Sequence, residues 1–110
     1  MHRKRIVTLV LVLVLLLVVA VPAAADTSAL LRTRVEDFRF RPRMQTGTTA
    51  DTFGFRNFGP SVHTVTSTTG VFDSGNMAVG QVFGVTGLAP GVYDYLCTLH
   101  PNMTGRLTVN

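Results

Sequence analysis

Gly91-Val92-Tyr93-Asp94-Tyr95-Leu96-Cys97-Thr98-Leu99-His100-Pro101-Asn102-Met103 reads as a strand that runs into a chemically loaded loop. In its first half, side chains alternate with a period of two, the pattern of a strand with one buried face. Tyr93, Tyr95 and Cys97 share that face, so the chain's only cysteine sits on the core side at the strand's end. A thiol there is shielded from solvent and oxidants, which suits either an inert core cysteine or a buried ligand. His100 and then Met103 follow at three-residue steps, so three soft or borderline donors fall within seven residues.

The chain around this stretch has the same character. Glycine and proline punctuate it every eight to twelve residues or so, with short alternating runs between, which indicates an all-β sandwich or barrel. Strands are predicted over Leu31–Glu36, Phe38–Arg41, Thr52–Asn57, Thr64–Ser67, Gln81–Val85, Val92–Cys97 and Arg106–Val109. Turns are predicted at Asn57-Phe58-Gly59-Pro60, Asp73-Ser74-Gly75-Asn76 and Ala89-Pro90-Gly91, where the residues supply turn dihedrals. Parity directs Phe38 with Phe40, and Phe53 with Phe55, toward the core. Arg39, Arg41 and Arg43 are then an outward stripe, read first as a solvated face that discourages edge pairing. A docking surface for an acidic partner is the alternative. Met44 and Met77 read as core gap-fillers.

The first 25 residues differ in kind. His2-Arg3-Lys4-Arg5 precedes an apolar run, Ile6 to Val21, interrupted only by Thr8, and Pro22-Ala23-Ala24-Ala25 supplies small residues for signal-peptidase cleavage before Asp26. Residues 1–25 are therefore predicted to be a signal peptide, 26–29 a short flexible leader, and 30–110 the domain. An uncleaved membrane anchor is the competing reading, because the run is nearly long enough to span. Export places the domain outside the cytoplasm, in the periplasm, at the cell surface or in the medium. Without the targeting segment, seven arginines face six carboxylates, a balance of +1. Nucleic-acid binding thereby loses its electrostatic support. About 85 residues remain, a size at which one core is marginal without a staple. One cysteine cannot form an internal disulfide, so a metal is the candidate staple.

The residual chain has two histidines, His63 and His100. His63 precedes Thr64-Val65-Thr66-Ser67, just after the Gly59-Pro60 turn, and in a Greek-key sandwich that strand can lie beside the one ending at Cys97. His63, Cys97, His100 and Met103 then converge at one end of the molecule. One thiolate and two imidazoles with a weak axial thioether form the donor set of a blue-copper electron-transfer centre, and a Cys/His site can also hold zinc. Each residue alone has a blander reading: a core cysteine, a hydrogen-bonded histidine, a core methionine. Their conjunction points to one metal site.

Pro60-Ser61-Val62-His63-Thr64-Val65-Thr66-Ser67, Phe72-Asp73-Ser74-Gly75, Gly91–Cys97 and the closing loop together resemble a small cupredoxin of the plastocyanin, halocyanin and amicyanin group. The compact loop, with two residues between cysteine and histidine and two more before methionine, is closest to amicyanins. The resemblance spans about Leu30 to Asn110. It implies an eight-stranded Greek-key sandwich, one type 1 copper ion held equatorially by His63, Cys97 and His100 and axially by Met103, and electron exchange through the His100 edge with a redox partner. Leu99, Pro101 and Gly59-Pro60 would border that contact, and the carrier would be monomeric. Two departures stand out: Thr64 replaces the asparagine that follows the first histidine in many members, and Gly54 occupies a strand that elsewhere carries larger residues. A copper-delivery protein is the competing function. An immunoglobulin-like domain lacks its second cysteine and core tryptophan here. An enzyme is not expected, since four protein ligands leave no open position and no nucleophile–base set is present.

Overall fold

Short alternating runs pair into two four-stranded sheets. The strands are β1 (Leu30–Glu36), β2 (Arg39–Arg41), β3 (Met44–Gly47), β4 (Thr52–Gly59), β5 (Thr66–Ser67), β6 (Val82–Val85), β7 (Gly91–Cys97) and β8 (His100–Val109). One sheet has the order β2-β1-β4-β6 and the other β3-β8-β7-β5. The β1–β4 and β3–β8 pairs are parallel and the remaining pairs antiparallel. The computed structural model describes residues 12–18 and 27–110. Within the predicted signal peptide, residues 12–18 carry no regular secondary structure, and the remainder, with the expected cleavage point before Asp26, lies outside the described residues. No helix among the described residues is long and apolar enough to cross a membrane.

The inner faces of the two sheets close on a core centred on Tyr95. Its ring meets Phe40 and Phe55 edge-on, with centroids 4.7 and 5.3 Å apart, the offset geometry that aromatic quadrupoles prefer. Phe53, Val35, Val65, Leu107 and Cys97 complete the buried layer. Burial raises the Tyr95 phenol pKa well above its ordinary value. Gly105 lies directly over the ring, where a Cβ would overlap Tyr95; this close approach keeps β8 tight against β7. Gly47 is confined in the same way, with Leu31, Asp51 and Phe53 all within 3 Å of a would-be Cβ.

Four expectations need correction. Phe38 does not face the core: Asp37-Phe38 form the tight turn between β1 and β2, Phe38 takes φ +66°, and its side chain is 67% exposed. A turn resets strand parity, so the alternation that buries Phe40 does not extend back to Phe38. Met44 is exposed rather than a gap-filler; it begins β3, an edge strand without apolar alternation, held by its parallel ladder to β8. The strand expected at Thr64–Ser67 is reduced to Thr66–Ser67, with His63 in an isolated bridge to Met77. The arginine stripe breaks after Arg41, because Pro42 ends β2 and Arg43 leads into the other sheet, where it contacts the Thr104 hydroxyl at 3.2 Å.

One carboxylate ties the start of β1 to the β3–β4 connection. Buried Asp51 accepts the Ala29 amide at 2.8 Å and the Thr48 amide at 2.7 Å. The Ala29 and Thr48 amides hold its pKa below the usual carboxylate value, against the opposing effect of burial. A lowered folded-state pKa contributes stability that is present above the unfolded value and is lost as pH falls through the folded one. Asp51→Ala is therefore expected to lower the melting temperature at pH 7. In thermal melts across an acid series, the gap between variant and parent should close below about pH 4.

Candidate metal centre

Three elements bring donors to one end of the sandwich. β7 delivers Cys97, which is fully buried. A register shift between Leu96 and Cys97 then turns the chain back on itself, so that Cys97 pairs with His100 at the start of β8. His63 arrives from the segment between β4 and β5, where its backbone exchanges two hydrogen bonds with Met77, at 3.2 and 2.8 Å. That segment is shaped by Asn57, a buried side chain whose Nδ2 donates to the Ser61 and Met77 carbonyls at 2.9 Å each and whose Oδ1 accepts from the Gly59 amide at 2.7 Å.

The ligating atoms of His63, Cys97 and His100 lie within 4.8 Å of one another. His63 Nδ1 and His100 Nδ1 are each 3.7 Å from Cys97 Sγ. A metal about 2.0–2.1 Å from nitrogen and about 2.3 Å from sulfur would hold N and S roughly 3.5–3.8 Å apart at angles from tetrahedral to trigonal, so the donor set fits one metal ion. His63 is wholly buried and His100 partly exposed. Met103 is 2% exposed, packs in the core cluster and lines the same shallow depression of about 430 Å³ as His100, Leu99 and Pro101.

His63 Nε2 stands 2.9 Å from Asp37 Oδ1. An ionised carboxylate only accepts, so Nε2 carries the proton and Nδ1 presents its lone pair toward Cys97. Asp37 is itself held by the Ser61 amide at 3.0 Å and the Ser61 hydroxyl at 3.1 Å. Partial burial pushes its pKa up, but the Ser61 amide, the His63 ring and the Ser61 hydroxyl outweigh that and leave it lowered. Sequence reading did not find Asp37, because its partner is 26 residues away and the encounter depends on the β1–β2 turn.

Thr64 provides the remaining link. Its amide donates to Cys97 Sγ at 3.3 Å, and its hydroxyl oxygen accepts the Thr98 amide at 2.8 Å. The Thr66 hydroxyl donates to the same oxygen at 3.0 Å. The threonine that departs from the expected asparagine thus joins the two donor-bearing segments through its side chain.

This architecture has known counterparts. A reduced amicyanin variant superposes with a TM-score of 0.66 at 25% identity, covering 78% of this chain and 85% of that one. The purple cupredoxin of Nitrosopumilus maritimus gives 0.66 at 21%, covering 73% and 99%. The fold is that of the cupredoxins. A copper-containing nitrite reductase from Thermus scotoductus matches over 73% of this chain but only 22% of its own, at a TM-score of 0.65 and 20% identity, so the cupredoxin fold here corresponds to one part of that larger chain. No family model matches the sequence, and no curated protein is similar to it in sequence.

The cupredoxin sandwich leaves the tie between the two donor segments to Thr64. Thr64→Val keeps shape and volume but removes the buried acceptor of the Thr98 amide. It is expected to destabilise the metal-free protein by about 1–3 kcal/mol, read by denaturant melts, whereas Thr64→Ser, which keeps the acceptor, should stay within about 1 kcal/mol of the parent.

Proposed function

We propose that this chain is an exported one-electron carrier that binds a single type 1 copper ion through His63, Cys97, His100 and Met103. The observation that carries the reading is the convergence of one buried thiol and two imidazole Nδ1 atoms, each 3.7 Å from the sulfur, in a β framework that fixes all three. A thiolate and a thioether favour Cu(I), imidazoles also accept Cu(II), and the bound ion supplies reversible one-electron chemistry between those states. The protein's part is to hold the donors still, so that little rearrangement accompanies the change of charge.

The two histidines divide the remaining work. His63 is sealed inside against Asp37 and anchors the site. His100 lies at the surface between exposed Leu99 and Pro101, and this edge is the path by which an electron reaches a partner protein. Buried Met103, which lines the same depression as His100, is the residue assigned to supply the thioether. The apolar, Arg/Lys-headed residues 1–25 are assigned to export, which sets the carrier outside the cytoplasm. The copper-delivery alternative calls for ready exchange of the metal, and a donor set anchored by a fully buried histidine is built for retention.

The metal-free protein should take up one equivalent of Cu(II) and develop an intense visible absorption from sulfur-to-copper charge transfer, bleached reversibly by a reductant. Cys97→Ser should abolish the colour. A protein that binds copper without colour, or releases it to a chelator within seconds, would overturn the electron-carrier reading.

A further inference from the structure

The turn between β1 and β2 touches both imidazoles of the site. Asp37 reaches His63 Nε2 at 2.9 Å, and the neighbouring Phe38 stands edge-on to the His100 ring, with centroids 5.1 Å apart and planes at 81°. Folding alone does not account for Phe38. The residue is 67% exposed, so burial contributes little, and it occupies φ +66°, a conformation that costs a bulky residue about 1 kcal/mol or more and that glycine or asparagine would take with less strain. Contact with His100 is what the ring gains in return; an edge-to-face aromatic pair is worth about 0.5–1.5 kcal/mol.

We infer that Asp37-Phe38 is one brace that presets both histidines for metal binding. Asp37 fixes the tautomer and plane of the buried ring. Phe38 stands against the partly exposed ring and opposes its rotation toward solvent. Because the turn belongs to the β2-β1-β4-β6 sheet and Cys97 and His100 to the other, the brace also pins the site across the two sheets. The carboxylate sets one negative charge behind His63, which favours the more highly charged state of a metal bound in front of it. Both residues position ligands and neither donates to the metal.

The inference rests on the metal-binding reading, and the test separates the two. Zn(II) affinity by chelator competition, the reduction potential of the copper form, and the His63 tautomer from ¹H–¹⁵N spectra of the metal-free protein are measured for Asp37→Ala, Asp37→Asn, Phe38→Ala and Phe38→Trp. Asp37→Ala is expected to scramble the His63 tautomer and weaken Zn(II) binding about 10- to 100-fold. Asp37→Asn, which keeps an acceptor oxygen, should keep the tautomer but raise the potential. Phe38→Ala should leave His63 alone and weaken binding several-fold, with Phe38→Trp restoring it. Affinities within twofold of the parent in both alanine variants, with an unchanged tautomer, would overturn the brace. If Asp37→Ala does not fold, the potential and tautomer of Asp37→Asn decide. A parent protein that binds neither Zn(II) nor Cu(II) sinks the metal reading, while the tautomer in the metal-free protein still decides the Asp37 half of the brace.

A second inference comes from the outer face of the same sheet. Arg41 on β2, Arg34 on β1 and Arg56 on β4 are direct neighbours in register across three strands, an arrangement in which like charges repel. Arg32 and Arg39 extend the face. Its one carboxylate, Glu36, is shared between Arg34 at 2.9 Å and Arg39 at 2.7 Å, so Arg32, Arg41 and Arg56 make no ion pair among the described residues. Phe58 lies under the Arg34 and Arg56 guanidinium groups, 3.7 and 5.1 Å from its centroid. The Leu30 side chain lies over Gly54, 3.0 Å from where a Cβ would stand, and the face holds a depression of about 940 Å³ walled by guanidiniums, Leu30 and Phe58.

The geometry points to a docking surface for a carboxylate-rich patch on a partner protein. Guanidinium forks match carboxylates bidentately, and arginine beside an aromatic is the composition of protein-interface hot spots. A nucleic acid is disfavoured by the balance of only +1 over residues 26–110. Titrating ¹⁵N-labelled protein with hexaglutamate at low salt should shift β1, β2 and β4 amides in a saturable way that hexaglutamine does not reproduce. Arg41→Ser with Arg56→Ser should weaken binding at least fivefold while leaving the melting temperature equal or higher, because repulsion is relieved. Equal shifts with hexaglutamine, a loss of stability in the double variant, or tighter binding to phosphatidylglycerol vesicles or to dT10 than to hexaglutamate would overturn the assignment.

Discussion

The amide of Thr64 points at the sulfur of Cys97, and the amide of Thr98 points back at the hydroxyl of Thr64. These two hydrogen bonds join segments more than thirty residues apart in sequence, and the rest of the site depends on them. Cys97 Sγ is fully buried and out of reach of water. A donor N–H restores part of what water would have given it. The same contact sets how far the His63 segment can slide relative to β7, since Thr66 and Ser67 go on to pair with Leu96 and Tyr95. Register and ligand electronics are thus fixed by one residue.

Holding three donors in advance of a metal is costly for a small domain, because each side chain gives up rotamer freedom before any bond forms. The sandwich meets that cost by giving each donor a support outside the site. Cys97 ends a strand whose inner face carries Tyr95, locked between Phe40, Phe55 and Gly105. His63 is tied through its backbone to Met77 and through Nε2 to Asp37. His100 begins β8 directly opposite Cys97. Asn57 shapes the approach to His63 by closing three hydrogen bonds in the interior.

Much of this was legible because strands write their faces into the sequence with a period of two. Tyr95 and Cys97 in β7, Phe53 and Phe55 in β4, and Phe40 in β2 all point where alternation places them. The convergence of His63, Cys97 and His100 followed from their scarcity as much as from spacing. What could not be read lies where backbone geometry overrides alternation. Phe38 escapes the core because a positive φ turns the chain beneath it. β3 carries too little apolar patterning to announce itself, and β8 starts at His100 rather than Arg106 because ladder bonds to β7 extend into the donor loop. Asp37 was invisible for a different reason: its role is created by a three-dimensional encounter with His63, and no local pattern encodes that.

The same encounter explains why the two imidazoles differ. Both present Nδ1 to the sulfur at the same distance, yet their outer nitrogens meet opposite environments. That of His63 is committed to the partly buried carboxylate of Asp37, so this wholly buried ring has one proton position. His100 is the partly exposed member of the pair and is flanked by an aromatic edge instead of a charge. Under the electron-carrier reading proposed above, His100 is the partly exposed edge through which an electron would pass, and the charge of Asp37 stands behind His63. Asymmetry of support, imposed on two chemically identical side chains by one turn, is what gives the cluster a front and a back.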